Sequence, residues 1–150
     1  MKRPTRVTMR LETIERVKEA PRILYWLLAT RPSRVNISHR RMPTYAAHAA
    51  FLRRKPYKAW YLVRVSPWGY VGSVYLSKSD EIGIFLFKEY QGKGLGQETV
   101  RLLMARHRKV KRFLANVSPK NERSARFFKD LGFKPIQNTY EATREKKGKS

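Results

Sequence analysis

The sequence contains no cysteine and little histidine, and both absences exclude classes of function. With no cysteine in 150 residues, disulfides, thiolate nucleophiles, iron–sulfur clusters and cysteine-ligated zinc are excluded. The three histidines, His39, His48 and His107, follow no metal-ligand spacing, so we expect no metal site. The absence of cysteine suits a reducing compartment, and we expect a cytoplasmic protein.

Long apolar runs are also missing. The longest, Ile23 to Ala29, is far shorter than the roughly 20 residues of a membrane-spanning helix. Residues 1–10 include basic side chains, but no apolar segment follows them as in a secretory signal peptide. We therefore expect no membrane association and no signal peptide.

Acidic residues are scarce, and this scarcity defines the charge of the chain. Lysine and arginine number 34 against 11 aspartates and glutamates, a net charge of +23. The stretch from Ala20 to Ser79 has eleven basic residues and no acidic one. Such a surface attracts polyanions, which predicts nucleic-acid contact through residues 20–79. A general basic bias that favours solubility would produce the same composition.

The length and the 41% hydrophobic content predict one domain over residues 1–140, with a basic, flexible tail at 141–150. Alternating and helical patterns predict a mixed α/β (α+β) fold. Strands are expected at Val7–Leu11, Lys58–Val65, Tyr70–Leu76, Glu81–Phe87 and Phe113–Val117. Helical spacing is present at 13–20, along 23–28, after Pro43, after Gly96 and from Ser124 to a stop at Gly132. The apolar run Glu81–Phe87 is typical of a central strand covered on both faces.

One segment of the sequence indicates a ligand-binding site. Gln91-Gly-Lys-Gly-Leu-Gly96 has three glycines at alternate positions and leads directly into a predicted helix. Glycines let the backbone amides converge on an anion, and both the helix N-terminus and Lys93 add positive charge. The segment therefore predicts a diphosphate site. Its spacing fits neither the Walker loop nor the dinucleotide-binding fingerprint.

This loop and a second motif resemble the GCN5-related N-acetyltransferase (GNAT) superfamily. Residues Gln91 to Gly96 match its Gln/Arg-x-x-Gly-x-Gly/Ala loop, and Asn121 to Phe133 is similar to its Asn…small…aromatic…Leu-Gly-Phe helix. The resemblance covers residues 59–135. It implies a mostly antiparallel central sheet flanked by helices, with a V-shaped split between the central strands. It also implies acetyl-CoA as co-substrate, an amine acceptor, no metal, and a monomer or homodimer.

The resemblance also assigns residues to the cofactor. The main-chain N–H groups of Gln91, Gly92, Lys93, Gly94, Leu95 and Gly96 would bind the pyrophosphate. The backbone of Phe85, Leu86 and Phe87 would pair with the pantetheine arm, and the Leu86 N–H would polarise the thioester carbonyl. Asn121 would hydrogen-bond that arm near Ser124 and Phe128, with Arg126 or Lys129 approaching the adenosine phosphates. Alternatively, Asn121 is only the N-cap of its helix.

The two motifs identify the catalytic residues less clearly than the cofactor-binding residues. Glu81 is the first candidate for the general base, with His39 and His48 as alternatives. Phe128 stands where many family members have the tyrosine that protonates the departing thiolate. Water or another tyrosine (Tyr75, Tyr90 or Tyr140) would then supply the proton, or the thiolate would leave unprotonated.

The charge predicts the acceptor class. An anionic amine, or one attached to a polyanion such as nucleic acid, a nucleotide sugar or a ribosome-associated protein, is favoured over a free polyamine. Two alternatives stay open. One is a GNAT-fold protein that binds nucleic acid with little or no catalysis, and the other is a transferase that uses a different acyl-CoA.

Overall fold

The structure is a computed structural model that describes residues 7–31 and 42–144. It contains four strands and four helices, which follow the chain in this order: β1 (Thr8–Thr13), α1 (Ala20–Ala29), α2 (Tyr45–Arg53), β2 (Ala59–Ser66), β3 (Gly69–Leu76), β4 (Ile82–Leu86), α3 (Leu95–Arg106) and α4 (Glu122–Asp130). Single 3₁₀ turns lie at Ile14–Arg16 and Lys88–Tyr90. None of the helices in these residues is long and apolar enough to cross a membrane.

The strands form one antiparallel sheet in the order β1-β2-β3-β4. Thr8 pairs with Ser66, Ala59 with Leu76, and Gly72 with Leu86. The mixed, mostly antiparallel architecture expected from the sequence is therefore confirmed. The turn between β2 and β3 is tight and includes a cis bond between Ser66 and Pro67.

Helices cover both faces of the sheet because the side chains of β2 alternate. Tyr61, Val63 and Val65 pack against α3, where Val100 and Leu103 are fully buried. Leu62, on the opposite face, packs under α1 and α2 against Leu24 and Leu52. The helical spacing predicted along residues 23–28 is confirmed, and Leu24 of α1 contributes to this second core.

Helix ends follow local signals. Thr44 is the N-cap of α2 and accepts the Ala47 N–H at 3.1 Å, so Pro43 precedes the cap and does not open the helix. α4 ends in a Schellman motif, with the Phe133 N–H bonded to the Phe128 carbonyl at 2.9 Å and Gly132 at φ +92°. Residues 13–20 have helical spacing but form only the 3₁₀ turn Ile14–Arg16, and the backbone is extended at Val17.

Two strand predictions are wrong. β4 is the last strand in the sheet order, so Glu81–Phe87 lies at the edge of the described sheet and is not a central strand. Phe113–Val117 is not a strand, since its one ladder contact is a parallel bridge between Glu81 and Leu114. The apolar character of β4 arises because helices and loops, rather than a fifth full strand, cover it.

The bridge marks the closed end of a split in the sheet. The Ile82 N–H bonds the Leu114 carbonyl at 2.7 Å, and the Leu114 N–H bonds the Asp80 carbonyl at 2.9 Å. Beyond it, no ladder pairing joins Gly83–Leu86 to residues 115–117 within the described chain. We call the open edge of β4 facing residues 115–117 the split.

Candidate functional site

Residues 91–96, here called the glycine loop, form a turn that ends as α3 begins. Gly92 and Gly94 have φ of 75° and 78°, in the left-handed region that glycine adopts without strain. Gly94 is the N-cap of α3 and has no side chain to cap it. The first amide bonded within the helix is that of Glu98, to the Gly94 carbonyl at 3.3 Å. The N–H groups of the preceding first turn are therefore available to an anion.

Side chains hold the loop against β4 and α4. Gln91 Nε2 donates to the Leu86 carbonyl at 3.0 Å, and Gln91 Oε1 accepts from Arg123 Nη1 at 3.5 Å. A Cβ on Gly96 would lie 3.0 Å from Phe127 Cε2, so α3 and α4 approach closely there. Lys93 Nζ lies 5.8 Å from the Trp68 ring centroid. The loop is thus anchored, with two cationic side chains beside it.

The hydrogen-bond pattern between β3 and β4 determines which main-chain N–H groups of β4 face the split. The Phe87 N–H bonds the Val71 carbonyl at 2.9 Å, and the Ser77 N–H bonds the Glu81 carbonyl at 2.8 Å, so odd-numbered β4 residues face β3. Antiparallel ladders alternate, so even-numbered residues direct their N–H and C=O away from β3. Among Phe85, Leu86 and Phe87, only Leu86 therefore turns its amide to the split. The Phe87 carbonyl is already bonded by the Tyr90 N–H at 2.9 Å.

The second motif forms the start of α4. Asn121 is its N-cap, and Asn121 Oδ1 accepts the Ser124 N–H at 3.1 Å. Phe128 is buried between Phe127 and Phe133, with ring centroids 5.0 Å and 5.2 Å apart. A buried phenyl ring without a hydroxyl cannot exchange protons, so any proton donor lies elsewhere.

Glu81 lies at the closed end of the split. Its Oε2 accepts from Asn116 Nδ2 at 2.6 Å, and its N–H donates to Ser77 Oγ at 2.9 Å. The carboxylate is half-buried and held in place. His48, by contrast, is buried on α2 with its ring 5.5 Å from that of Tyr25, as expected of a packing residue. His39 lies outside the described residues.

Tyr75 and Tyr57 form a pair beside Glu81 that the sequence did not reveal. Tyr75 pairs across the sheet with Gly83, and its ring lies over Gly83 in the space a Cβ would occupy. The Tyr57 ring stacks on Tyr75 with centroids 3.8 Å apart and planes 3° apart. Burial raises the pKa of both phenols. Both phenols are therefore protonated at neutral pH.

Tyr57 and Tyr75 belong to a larger aromatic wall on the α1–α2 face, which also contains Phe51 and Trp60. Their rings meet edge to face, with Tyr57 and Trp60 centroids 4.8 Å apart. Arg31 lies beside this wall, its guanidinium carbon 3.8 Å from the Phe85 ring centroid. Burial lowers the pKa of Arg31, while the two tyrosines raise it. The cluster depends on the register of β2 and β3, which pairs Trp60 with Tyr75, and on the packing of α2 against the sheet.

The remaining candidate residues lie at the surface or beside the glycine loop. Tyr140 is 89% exposed, and Tyr90 stacks on Trp68 beside the glycine loop with centroids 5.7 Å apart. Arg126 and Lys129 are exposed on α4. Within the described residues, no group of three or more potential ligands could hold a metal ion.

Solved structures of acetyltransferases share this fold. An aminoglycoside N-acetyltransferase in complex with CoA is 14% identical, with a TM-score of 0.67 over 96% of this chain and 98% of that chain. Spermidine N-acetyltransferase from Vibrio cholerae is 15% identical, with a TM-score of 0.65 over 89% and 82%. A domain from Methanocaldococcus jannaschii reaches 20% identity and a TM-score of 0.74 over 91% and 93%. The fold is thus that of a GNAT acetyltransferase.

The sequence matches the acetyltransferase (GNAT) domain family over residues 8–134. The chain therefore belongs to the GNAT family of acetyltransferases, whose co-substrate is acetyl-CoA. The match confirms the resemblance seen at residues 59–135 and extends it through β1, α1 and α2. No curated protein sequence matches the chain.

Proposed function

We propose that this enzyme transfers the acetyl group of acetyl-CoA to a primary amine on an anionic or polyanion-bound acceptor. The observation that carries the proposal is the glycine loop, whose positive-φ glycines leave the first amides of α3 uncapped. A simple strand-to-helix turn has no need of such an arrangement. Lys93 and Arg123 beside the loop add charge that complements phosphate.

The chain offers matching groups for the rest of the co-substrate. Acetyl-CoA supplies an acetyl group activated as a thioester. The main-chain N–H groups of 91–96 would hold its pyrophosphate, and the split-facing main chain of β4 would pair with the pantetheine arm. The Leu86 N–H, turned away from β3, would donate to the acetyl oxygen as negative charge develops there. Asn121, as N-cap, keeps its side-chain N–H₂ for that arm.

Proton transfer is assigned to Glu81 and Tyr75. The acceptor amine must lose a proton before it attacks, and Glu81 is a carboxylate fixed by Asn116 at the split. Burial raises the pKa of Tyr75, so its hydroxyl keeps a proton at neutral pH that it would donate. Tyr75 replaces the missing phenol at Phe128 as the proton donor for the departing thiolate.

The acceptor side supports an anionic partner. Residues 42–79 contain no acidic side chain, and Arg53, Arg54 and Lys55 are exposed at the end of α2. Lys58 is paired with Asp80, so the other three cations would repel a free polyamine. The aromatic wall provides apolar contact for the body of the acceptor.

Co-substrate binding is tested by thermal denaturation with acetyl-CoA. At a hundred times its dissociation constant, the ligand should add about 2.7 kcal/mol to the free energy of unfolding. Acetate and free pantetheine are the controls and should give smaller shifts, because they lack the pyrophosphate. The absence of any shift with acetyl-CoA would refute the proposal.

The acceptor class is tested with the same alkyl amine, once free and once attached to an oligonucleotide. Acetylation of hexylamine is compared with acetylation of a 5′-aminohexyl oligonucleotide, and spermidine is the cationic control. We expect the oligonucleotide-linked amine to react fastest at low salt and to lose its advantage at high salt. Efficient acetylation of spermidine that added nucleic acid does not inhibit would overturn the assignment.

A further inference from the structure

We propose that residues Arg106–Arg112, here called the basic loop, form a nucleic-acid-binding surface separate from the co-substrate site. The loop follows α3, whereas the glycine loop precedes it. A helix of 12 residues is about 18 Å long, so the two loops lie at opposite ends of α3. A polyanion bound at the basic loop would leave the co-substrate site open.

The basic loop is the centre of a second acid-free stretch. Residues 99–121 contain no aspartate or glutamate. They contain seven basic residues: Arg101, Arg106, Arg108, Lys109, Lys111, Arg112 and Lys120. The five in the basic loop are all exposed. The run at the end of α2 has three exposed basic residues, Arg53, Arg54 and Lys55, so the basic loop has the larger number.

No carboxylate in the described residues forms an ion pair with the basic loop. The four ion pairs among the described residues all lie outside the basic loop. They join Arg10 and Arg64 to Glu12, Lys58 to Asp80, and Arg101 to Glu98. Asp80, whose charge acts on His107, already forms an ion pair with Lys58. The charge of the loop is therefore uncompensated and available to phosphate.

The fold also fixes the loop at both ends. The Tyr61 hydroxyl and His107 Nε2 lie 2.8 Å apart, and Arg106 Nη1 donates to the Leu11 carbonyl at 2.9 Å. The Val110 N–H bonds the His107 carbonyl at 3.1 Å, and the Leu114 bridge anchors the far side. A preorganised loop loses less conformational entropy when it binds.

A nucleic acid fits this surface better than a membrane. Val110 and Phe113 are half-buried, and the large hydrophobic residues that are exposed all lie outside 99–121. Peripheral membrane binding generally combines basic residues with an apolar insertion or a lipid anchor. The phosphate backbone of a nucleic acid needs only closely spaced cations.

The test compares two variants with the same loss of charge. One variant carries R108Q, K109Q, K111Q and R112Q in the basic loop. The control carries R16Q, K18Q, R22Q and K134Q, all exposed and outside both the basic loop and the acceptor side. Fluorescence anisotropy with a labelled DNA duplex and a labelled single-stranded RNA is measured between about 50 and 200 mM salt.

We expect the wild-type protein to bind with a steep salt dependence. The basic-loop variant should bind at least about tenfold more weakly, and its salt slope should fall by about 3–4, or 0.9 per lost phosphate contact. The control should keep the wild-type slope. Equal losses in both variants, a larger loss in the control, or no wild-type binding would overturn the proposal.

A measurement on the unmodified protein provides an independent test. Lysine reactivity towards an acetylating reagent is mapped by mass spectrometry with and without the duplex. Protection of Lys109 and Lys111, but not of Lys18, supports the proposal, and equal reactivity refutes it. Equal protection by anionic lipid vesicles would assign the surface to membranes instead. The acetyl-CoA thermal shift should be the same in all variants, which separates this proposal from the proposed function.

Discussion

Replacing Gly83 with alanine should destabilise the protein, although the same change in an ordinary strand would stabilise it. Glycine in a strand interior costs about 0.5–1 kcal/mol relative to alanine through backbone entropy. At Gly83, however, the added methyl group would occupy the position of the Tyr75 ring. The ring would have to leave its place, so the sign of the effect reports whether Tyr75 lies over β4.

The magnitude follows from what Tyr75 would lose. The stacked contact with Tyr57 contributes about 0.5–1.5 kcal/mol, and the edge-to-face contact with Trp60 contributes a similar amount. Subtracting the entropy gain of alanine leaves a net loss of about 1 kcal/mol. For a protein of this size, that lowers Tm by about 2–4 °C. Because Tyr75 is the proposed proton donor, displacement of its hydroxyl should also lower the turnover number.

The assays separate stability from chemistry. Unfolding is followed with urea, and CoA release is followed with a thiol reagent, which the protein itself does not consume because it has no cysteine. Y75F is the matched control, since it keeps the ring and removes only the hydroxyl. It should lower kcat with little change in the KM for acetyl-CoA. In a Y75L background, G83A should no longer destabilise, as a double-mutant cycle would show. A G83A protein more stable than wild type would refute the placement of Tyr75.

Two further predictions concern backbone and protonation. G94A and G132A both force alanine into the left-handed region, at φ of 78° and 92°, and each should cost about 1 kcal/mol of stability. Only G94A should also weaken acetyl-CoA binding in a titration, and equal affinities would contradict the role of the glycine loop. Burial, then Arg106 and Lys58, lower the pKa of His107 in the folded state. The unfolded chain therefore binds this proton more tightly, so stability should fall as pH drops below about 6.5. H107Q should reduce that decline in urea midpoints between pH 5 and 8, and a parallel profile would rule the explanation out.

Much of the site was predictable because its signals are local. Alternate glycines before a helical pattern indicate an anion-binding turn whatever surrounds them, and Gly132 followed by Phe133 indicates a helix stop. Asn121 likewise gave two local interpretations, and its role as N-cap is confirmed by the hydrogen bond from Ser124. These features depend on the dihedral angles of a few neighbouring residues, which sequence specifies directly.

The position of β4 could not be predicted in the same way. Its apolar run suits a strand covered on both faces, but the pattern does not say whether another strand or helices and loops provide the cover. The segment Phe113–Val117 has a strand-like composition, yet only Leu114 pairs with the chain next to β4. Whether two strands stay paired depends on the whole sheet and its twist, not on either segment alone.

The sequence by itself determined the family, the glycine loop, the helix ends and the strong positive charge, since each depends on residue type and short spacing. The tertiary structure alone decided that the Leu86 N–H faces the split, that Tyr75 lies over Gly83, and that the basic loop is tied to Tyr61 and Leu11 with no ion pair among the described residues. These three depend on strand register and on contacts between residues far apart in the chain. A shift of one residue in the pairing of β3 and β4 would reverse the first and abolish the second.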